Sequence, residues 1–491
     1  MSSIQKLFLH FGQFLGTGTF VLLLGFVTFP ILTRLLTHEE YGLLGLVTNT
    51  IAFAVALAKG GISDSIVRFY RENATTPERL TLFTSTVLAR GILLAGIVVA
   101  VYVFALPPIN RLVGVDPRYL ACYLIMAVYL FARPLNIIVM NFMRSLGAIF
   151  ILNVFNTVMK VMEVAVAFAL LLWLIGELYG YFLGIALVQI GAMVFFFGWL
   201  RKNHRFSITQ VSGALTWDLL KFGFPLLLTE LAYLLLSYAD RYMIVAYHGQ
   251  AVLGVYNVGY NVPSYINDLV MFSLSYAIVP IYTELYAREG RQATETFLSR
   301  SLNYYFMAVI PLCFGYAAVS RDALVTLASE TYVEAADFSP IIMIGLVFLG
   351  LNYILYAGLY LEKKTGQILA IMLTAAAINV VANILLLPKH GATGAAIATL
   401  IACVASSFFT AVLGRRYLRA AISFPTILYY TTASAVMYFV VVEIDTGRPW
   451  LNLITKIPAG VAIMAAVVIV REREIRASAW QFLCRVFGKP V

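Results

Sequence analysis

The sequence predicts an all-α polytopic membrane protein of about fourteen transmembrane helices, and three observations predict it. Runs of roughly 20 mostly apolar residues recur along the chain, each long enough to cross the hydrocarbon layer as a helix. The composition is 61% hydrophobic and 12% charged, which excludes an ordinary soluble domain. Lys and Arg alternate with the loops, 22 on one side against 7 on the other, so the positive-inside rule places both termini in the cytoplasm. An even number of spans returns the chain to its starting side.

Taken in order, the spans cover 11–33, 42–63, 82–106, 119–142, 148–174, 178–200, 222–247, 252–282, 299–319, 338–361, 367–388, 392–413, 423–443 and 451–470. Lys6 precedes the first, which is long and has no small-residue cleavage site after it, so it reads as a retained span. Every second loop is basic: Arg68, Arg71 and Arg79; Arg144; Arg201, Lys202, Arg205 and Lys221; Arg288, Arg291 and Arg300; Lys363 and Lys364; Arg415, Arg416 and Arg419; then the tail from Arg471. The opposite loops hold only Arg34, Arg111, Arg118, Arg321, Lys389, Arg448 and Lys456. Five further cations, Lys59, Arg90, Arg133, Lys160 and Arg241, fall inside the spans. A charge at membrane depth is costly and is tolerated mainly where it faces a bundle interior or a wet cavity, so these residues mark where function should be sought.

Several classes are excluded or disfavoured. The net charge of +10 follows from orientation, and nucleic acid is not an expected partner. Cys122, Cys313, Cys403 and Cys484 suggest no disulfide framework, and the five histidines are too scattered to suggest a metal site. Neither a phosphate-binding G-x-x-x-x-G-K-[ST] loop nor an H-E-x-x-H pair is present, so no catalytic residue, metal or cofactor is assigned. The longest outer loop, Ser320 to Asp337, is short and acidic, too small for a catalytic domain.

The longest polar interruption, 201–221, divides the first twelve spans six and six. Weak self-similarity supports a duplication in which both halves run in the same sense. Thr33-Arg34 with Tyr41-Gly42-Leu43 parallels Asp240-Arg241 with Gly254-Val255-Tyr256; Arg144 to Gly147 parallels Lys363 to Gly366; Gly176 to Gly180 parallels Gly391 to Gly394. The expected organisation is a six-helix lobe at 1–200, a cytoplasmic linker at 201–221, a second lobe at 222–414, two further helices within 415–470 and an amphipathic tail at 471–491.

The stretch Arg34-Leu-Leu-Thr-His-Glu-Glu-Tyr-Gly42, continuing to Gly61 and Arg68-Phe-Tyr70, resembles the polysaccharide-transporter branch of the multidrug/oligosaccharidyl-lipid/polysaccharide flippase superfamily. Asp240-Arg241 followed by Leu-Gly-Val-Tyr256-Asn, Asn379-Val-Val-Ala-Asn383 and Gly391-Ala-Thr-Gly-Ala-Ala396 extend the likeness over most of the chain. The resemblance implies a bacterial inner-membrane flippase that moves a polyprenyl-diphosphate-linked oligosaccharide to the outer leaflet for cell-surface polysaccharide, whether O-antigen, lipopolysaccharide or exopolysaccharide. It implies two lobes forming a V that opens alternately to either side. In the related lipid II flippases two extra helices make a groove for the lipid tail, and spans thirteen and fourteen are placed to do likewise. Membrane lipids, a coupling H⁺ or Na⁺, and polysaccharide polymerase and chain-length proteins are the further partners in view.

An anionic headgroup covered with hydroxyls needs cations and polar or aromatic groups along its path. Asn153, Asn156, Lys160 and Glu163 are spaced to share one stripe of span five. Asn257, Asn261, Ser264 and Asp268 share one stripe of span eight, flanked by Tyr256, Tyr260 and Tyr265. Interhelical hydrogen bonding is the alternative reading of both, but four aligned polar groups exceed what it requires. Arg133, just before Pro134, and Arg90 lie deep enough to line a cavity; Lys160 has Glu163 one turn away; Lys59, near Asp64, reads as a snorkelling residue. Arg34 and Arg241, the latter beside Asp240, stand at matching outer positions of the two halves and form a candidate gate. The embedded cations concentrate in the first half, which argues for an anionic cargo. A cation-coupled multidrug exporter, the main alternative, calls for an acidic pocket there.

Overall fold

A computed structural model describes residues 24–113, 120–174, 177–207 and 209–472. The start of the first span, Lys6, Arg118, Gly176 and the amphipathic tail beyond Glu472 lie outside the described residues. Ten of the described helices are long and apolar enough to cross a membrane, or eleven when Glu330–Asp337 and Ser339–Leu355, bent by 56°, count as one span.

Three of those helices are 50 residues or longer, far beyond the ~20 that a bilayer requires. Glycines account for the excess. Gly249 (φ 85°) stands between spans seven and eight, Gly290 (φ 79°) between eight and nine, and Gly391 (φ 54°) between eleven and twelve. This left-handed backbone is open to glycine without a Cβ penalty, and it turns the helix axis within one residue. Divided there, and with Leu24–Leu35 as the described end of span one, the chain contains the expected spans in the expected order.

The polypeptide separates into two compact units, residues 1–257 with 365–402 and residues 258–364 with 403–491. In the first unit, helix His38–Lys59 opens with a capping box: Glu40 N–H donates to Thr37 Oγ1 at 3.2 Å, and Thr37 N–H donates to Glu40 Oε2 at 2.9 Å. The helix stops at Gly60 and Gly61 (φ 55° and 71°), and a short amphipathic helix, Ile62–Asn73, follows. Its apolar face joins Phe83, Phe142, Phe196 and Leu219 in a buried core. The backbones come very close at two levels. A Cβ on Gly42 would stand 2.2 Å from the Gln250 carbonyl oxygen, and one on Gly254 would stand 2.0 Å from that of His38. At the other end of span two, Gly61 and Gly223 face each other in the same way, at 2.2 and 2.1 Å.

In the second unit, the segment expected as an outer loop is largely folded. Helix continues to Leu327, and Glu330–Asp337 forms a 3-10 helix with Tyr332 and Ala335 buried. Ser339, which starts the next span, donates to the Gly259 carbonyl at 2.6 Å and meets the Tyr316 hydroxyl at 2.5 Å. Spans thirteen (Phe424–Val442) and fourteen (Pro449–Arg471) pack through Tyr430, Met437, Val441 and Met464.

Candidate functional site

The five embedded cations divide by their partners, all within the first unit. Lys59 Nζ contacts both carboxylate oxygens of Glu230 at 2.7 Å. It is therefore not a snorkelling residue and does not pair with Asp64. Lys160 Nζ donates to Glu163 Oε2 at 3.1 Å, and Arg241 Nη1 donates to Asp240 Oδ1 at 2.7 Å. Arg90 and Arg133 differ. Arg90 Nε donates at 3.2 Å to a neutral group, Thr216 Oγ1, and Arg133 makes no ion pair or hydrogen bond among the described residues. Both arginines are half-buried. Gly91, next to Arg90, packs against Leu135 and Ile138 just beyond Arg133, so the two stand at similar heights on adjoining helices. Neither guanidinium is paired with a carboxylate among the described residues.

A polar chain extends from this region. Asn136, one turn after Arg133, donates to Gln189 Oε1 at 2.8 Å; Gln189 Nε2 donates to Glu163 Oε1 at 2.5 Å; Glu163 in turn holds Lys160. Asn136 and Gln189 are fully buried, and Lys160 is half-exposed. Sequence reasoning missed Asn136 and Gln189, although the i, i+3 spacing from Arg133 to Asn136 was available as a clue. The rest of the span-five stripe stays close by: Asn153 is buried with its amide nitrogen unpartnered, and Asn156 is half-buried.

The residues of the span-eight stripe differ in burial. Asn257 is buried against Gly45 in the first unit. Asn261, Tyr260 and Tyr265 are half-buried, and Asp268 is exposed, accepting from Ser264 at 3.4 Å. Tyr256 is wholly buried, and its hydroxyl donates to Asp240 Oδ2. Thr399 also donates to that oxygen at 3.4 Å, and Asn379 and Asn383 continue the network behind it. Arg241 lies over the rings of Tyr238 and Tyr256 at 5.1 and 5.4 Å and is 3% exposed. Arg34 is exposed, with Nη1 donating to the Pro30 carbonyl at 3.1 Å. The matched arginines of the two halves thus occupy opposite surroundings.

At the end of span six, His204 is buried among Tyr70, Phe142 and Trp199 with neither ring nitrogen hydrogen-bonded. Burial lowers its pKa from 6.5.

A family described as Polysaccharide biosynthesis protein matches residues 13–286, and a second, MatE, matches residues 225–385. The succinoglycan biosynthesis transport protein ExoT of Rhizobium meliloti is 23% identical over 330 residues, covering 65% of this chain and 61% of its own length. The chain therefore spans about three fifths of that relative. Among solved structures, the lipid II flippase MurJ in an inward closed conformation superposes with a TM-score of 0.76 at 16% identity, covering 94% of this chain and 98% of its own. An inward-facing multidrug resistance MATE transporter gives 0.64 at 14% identity, covering 80% and 97%. These likenesses bear on the fold.

Proposed function

Because the chain belongs to the polysaccharide biosynthesis protein family, we propose that it is a bacterial inner-membrane flippase moving a polyprenyl-diphosphate-linked oligosaccharide from the cytoplasmic to the outer leaflet. The observation that carries the reading is the pair Arg90 and Arg133, half-buried cations that no carboxylate neutralises among the described residues. A diphosphate entering the membrane must exchange water for donors of fixed geometry, and guanidinium supplies two parallel N–H groups for that exchange. Lys160, Glu163, Asn153 and Asn156 extend the polar path toward the sugar. In this reading the lobes 1–200 and 222–414 alternate in access, Arg34 and the Asp240–Arg241 pair belong to the outer gate, and H⁺ or Na⁺ supplies the drive.

Spans thirteen and fourteen take the lipid tail. Support comes from an apolar cavity of about 340 Å³ that they line with Pro311, Leu312 and Val319 of span nine. The MatE match over residues 225–385 favours one competing reading, a cation-coupled drug exporter. Depletion of the protein decides between them. A flippase leaves lipid-linked oligosaccharide facing the cytoplasm with drug resistance unchanged; an exporter leaves the glycan lipid correctly placed and the cell drug-sensitive.

A further inference from the structure

The walls of the 340 Å³ cavity in the second unit are mostly apolar, with Pro311, Leu312, Met437, Val461 and Met464 among them; Tyr316, whose hydroxyl is engaged by Ser339, and Lys456 are the polar members. This lysine is 7% exposed. Its Nζ donates to Asp322 Oδ2 at 2.8 Å, its one acceptor among the described residues, although an ammonium carries three donors. Asp322 is fixed from behind by Asn452 Nδ2, which donates to its other oxygen at 3.0 Å. Asn452 is clamped in turn by Thr446, whose N–H and hydroxyl donate to Asn452 Oδ1 at 2.8 and 2.7 Å, and by Asp445 at 3.2 Å. The carboxylate is rigidly held, and the ammonium has two donors to spare.

A buried ion pair is weak evidence of stability, since a well-packed apolar pair serves as well or better. Its presence at the rim of an apolar cavity calls for another reason. The complement of a greasy groove ending in a half-used ammonium is a long apolar chain ending in a phosphate. Asp322 closes span nine and Lys456 opens span fourteen, at the ends that the charge bias assigns to the outer side. We propose that this groove is a second phosphate station, on the outer-leaflet side: the polyprenyl chain lies among the apolar walls and its diphosphate takes Lys456 from Asp322. The proposal rests on the flippase reading above. Asp322 neutralises Lys456 until the anion arrives, Asn452 keeps the carboxylate in place while the ammonium turns to the anion, and the ammonium's return to Asp322 favours the anion's release.

The test uses the full-length protein in phosphatidylcholine nanodiscs, with undecaprenyl diphosphate and neutral undecaprenol as probes. Lys456→Gln is expected to weaken diphosphate binding about tenfold or more while undecaprenol changes less than about twofold. Asp322→Asn is expected to tighten diphosphate binding. The double variant removes both charges, so no lone ion is buried, and it should bind as Lys456→Gln does. Unchanged diphosphate affinity in the single and double variants carrying Lys456→Gln overturns the proposal, as does equal loss of undecaprenol, which would make the groove's shape the cause. Complete displacement of the diphosphate by equimolar phosphatidylglycerol assigns the site to bulk anionic lipid and also overturns it. Flipping of lipid-linked oligosaccharide is measured on the same preparations. A wild type that flips beside a Lys456→Gln variant that binds normally removes the station alone; a wild type that flips nothing removes the flippase reading itself.

Discussion

Lys59 and Glu230 join the second span to the seventh through one ammonium seated on both oxygens of one carboxylate, at 2.7 Å each. The lysine side chain is 12% exposed and the glutamate 36%. Removing either partner strands the other charge in a poorly solvated place, at a cost of about 1–3 kcal/mol once the glutamate's exposure is discounted. Lys59→Met and Glu230→Gln should each lower the thermal midpoint in detergent, and the charge-swapped double variant should recover most of the loss. A swap no more stable than the singles would show that the pair contributes little.

Gly42 and Gly254 permit a backbone contact that no side chain can share. A methyl at either position meets a carbonyl oxygen about 2 Å away, which rotamer changes cannot relieve. Gly42→Ala and Gly254→Ala should each destabilise by about 1–3 kcal/mol. A methyl on Gly96 would have nothing within 4 Å, so Gly96→Ala should be neutral or stabilising by about 0.5–1 kcal/mol. Equal behaviour of the three variants in thermal unfolding would refute the clasp.

Arg133→Gln and Arg90→Gln should leave folding intact, since neither breaks an ion pair among the described residues. Each should reduce cell-surface glycan about tenfold or more, the loss expected from one charge-assisted phosphate contact. Normal glycan display by the double variant, at normal membrane abundance, would remove both residues from the cargo path.

His204 gives stability a pH dependence of defined sign. Its folded pKa is depressed below 6.5 by burial, so the unfolded chain takes up the proton first. The contribution is complete above about 6.5 and is lost as pH falls below that value toward the folded pKa. Thermal stability of the wild type should therefore fall between pH 7 and 5.5, and His204→Phe should flatten that slope. Parallel curves for the two proteins would exclude His204 as its source.

The basic loops predict an orientation that thiol labelling can check. A single cysteine at Arg205 should resist an impermeant reagent in sealed cells and react after permeabilisation, whereas one at Lys389 should react from outside. Labelling of position 205 in intact cells would invert the topology.

Span number and order were legible because apolar length and basic loops report directly on a bilayer. The breaks at Gly249, Gly290 and Gly391 were legible as positions between spans; that the helix would run on to a single positive-φ glycine at each was not. The motif from Arg34 to Gly42 was visible, but its cause was not, and Thr37 and Glu40 prove to be a helix cap and Gly42 a contact point. Helical spacing placed Lys160 with Glu163 correctly because their contact is local. It could not foresee that Glu230 would claim Lys59 or that Asp240 would claim Tyr256, since those partners lie 171 and 16 residues away. The surroundings of Arg90 and Arg133 were open to inference for the opposite reason: no acid stands a turn away from either to absorb its charge.

The one-residue turn at Gly249 also constrains how the chain is made. A long connection lets one helix settle in the lipid while the next is still being synthesised. Here the end of span seven is tied to the start of span eight through one glycine, with almost no slack. With so short a tether, span seven cannot move far along the membrane normal without drawing the start of span eight with it, so the two are expected to enter the membrane close together in time.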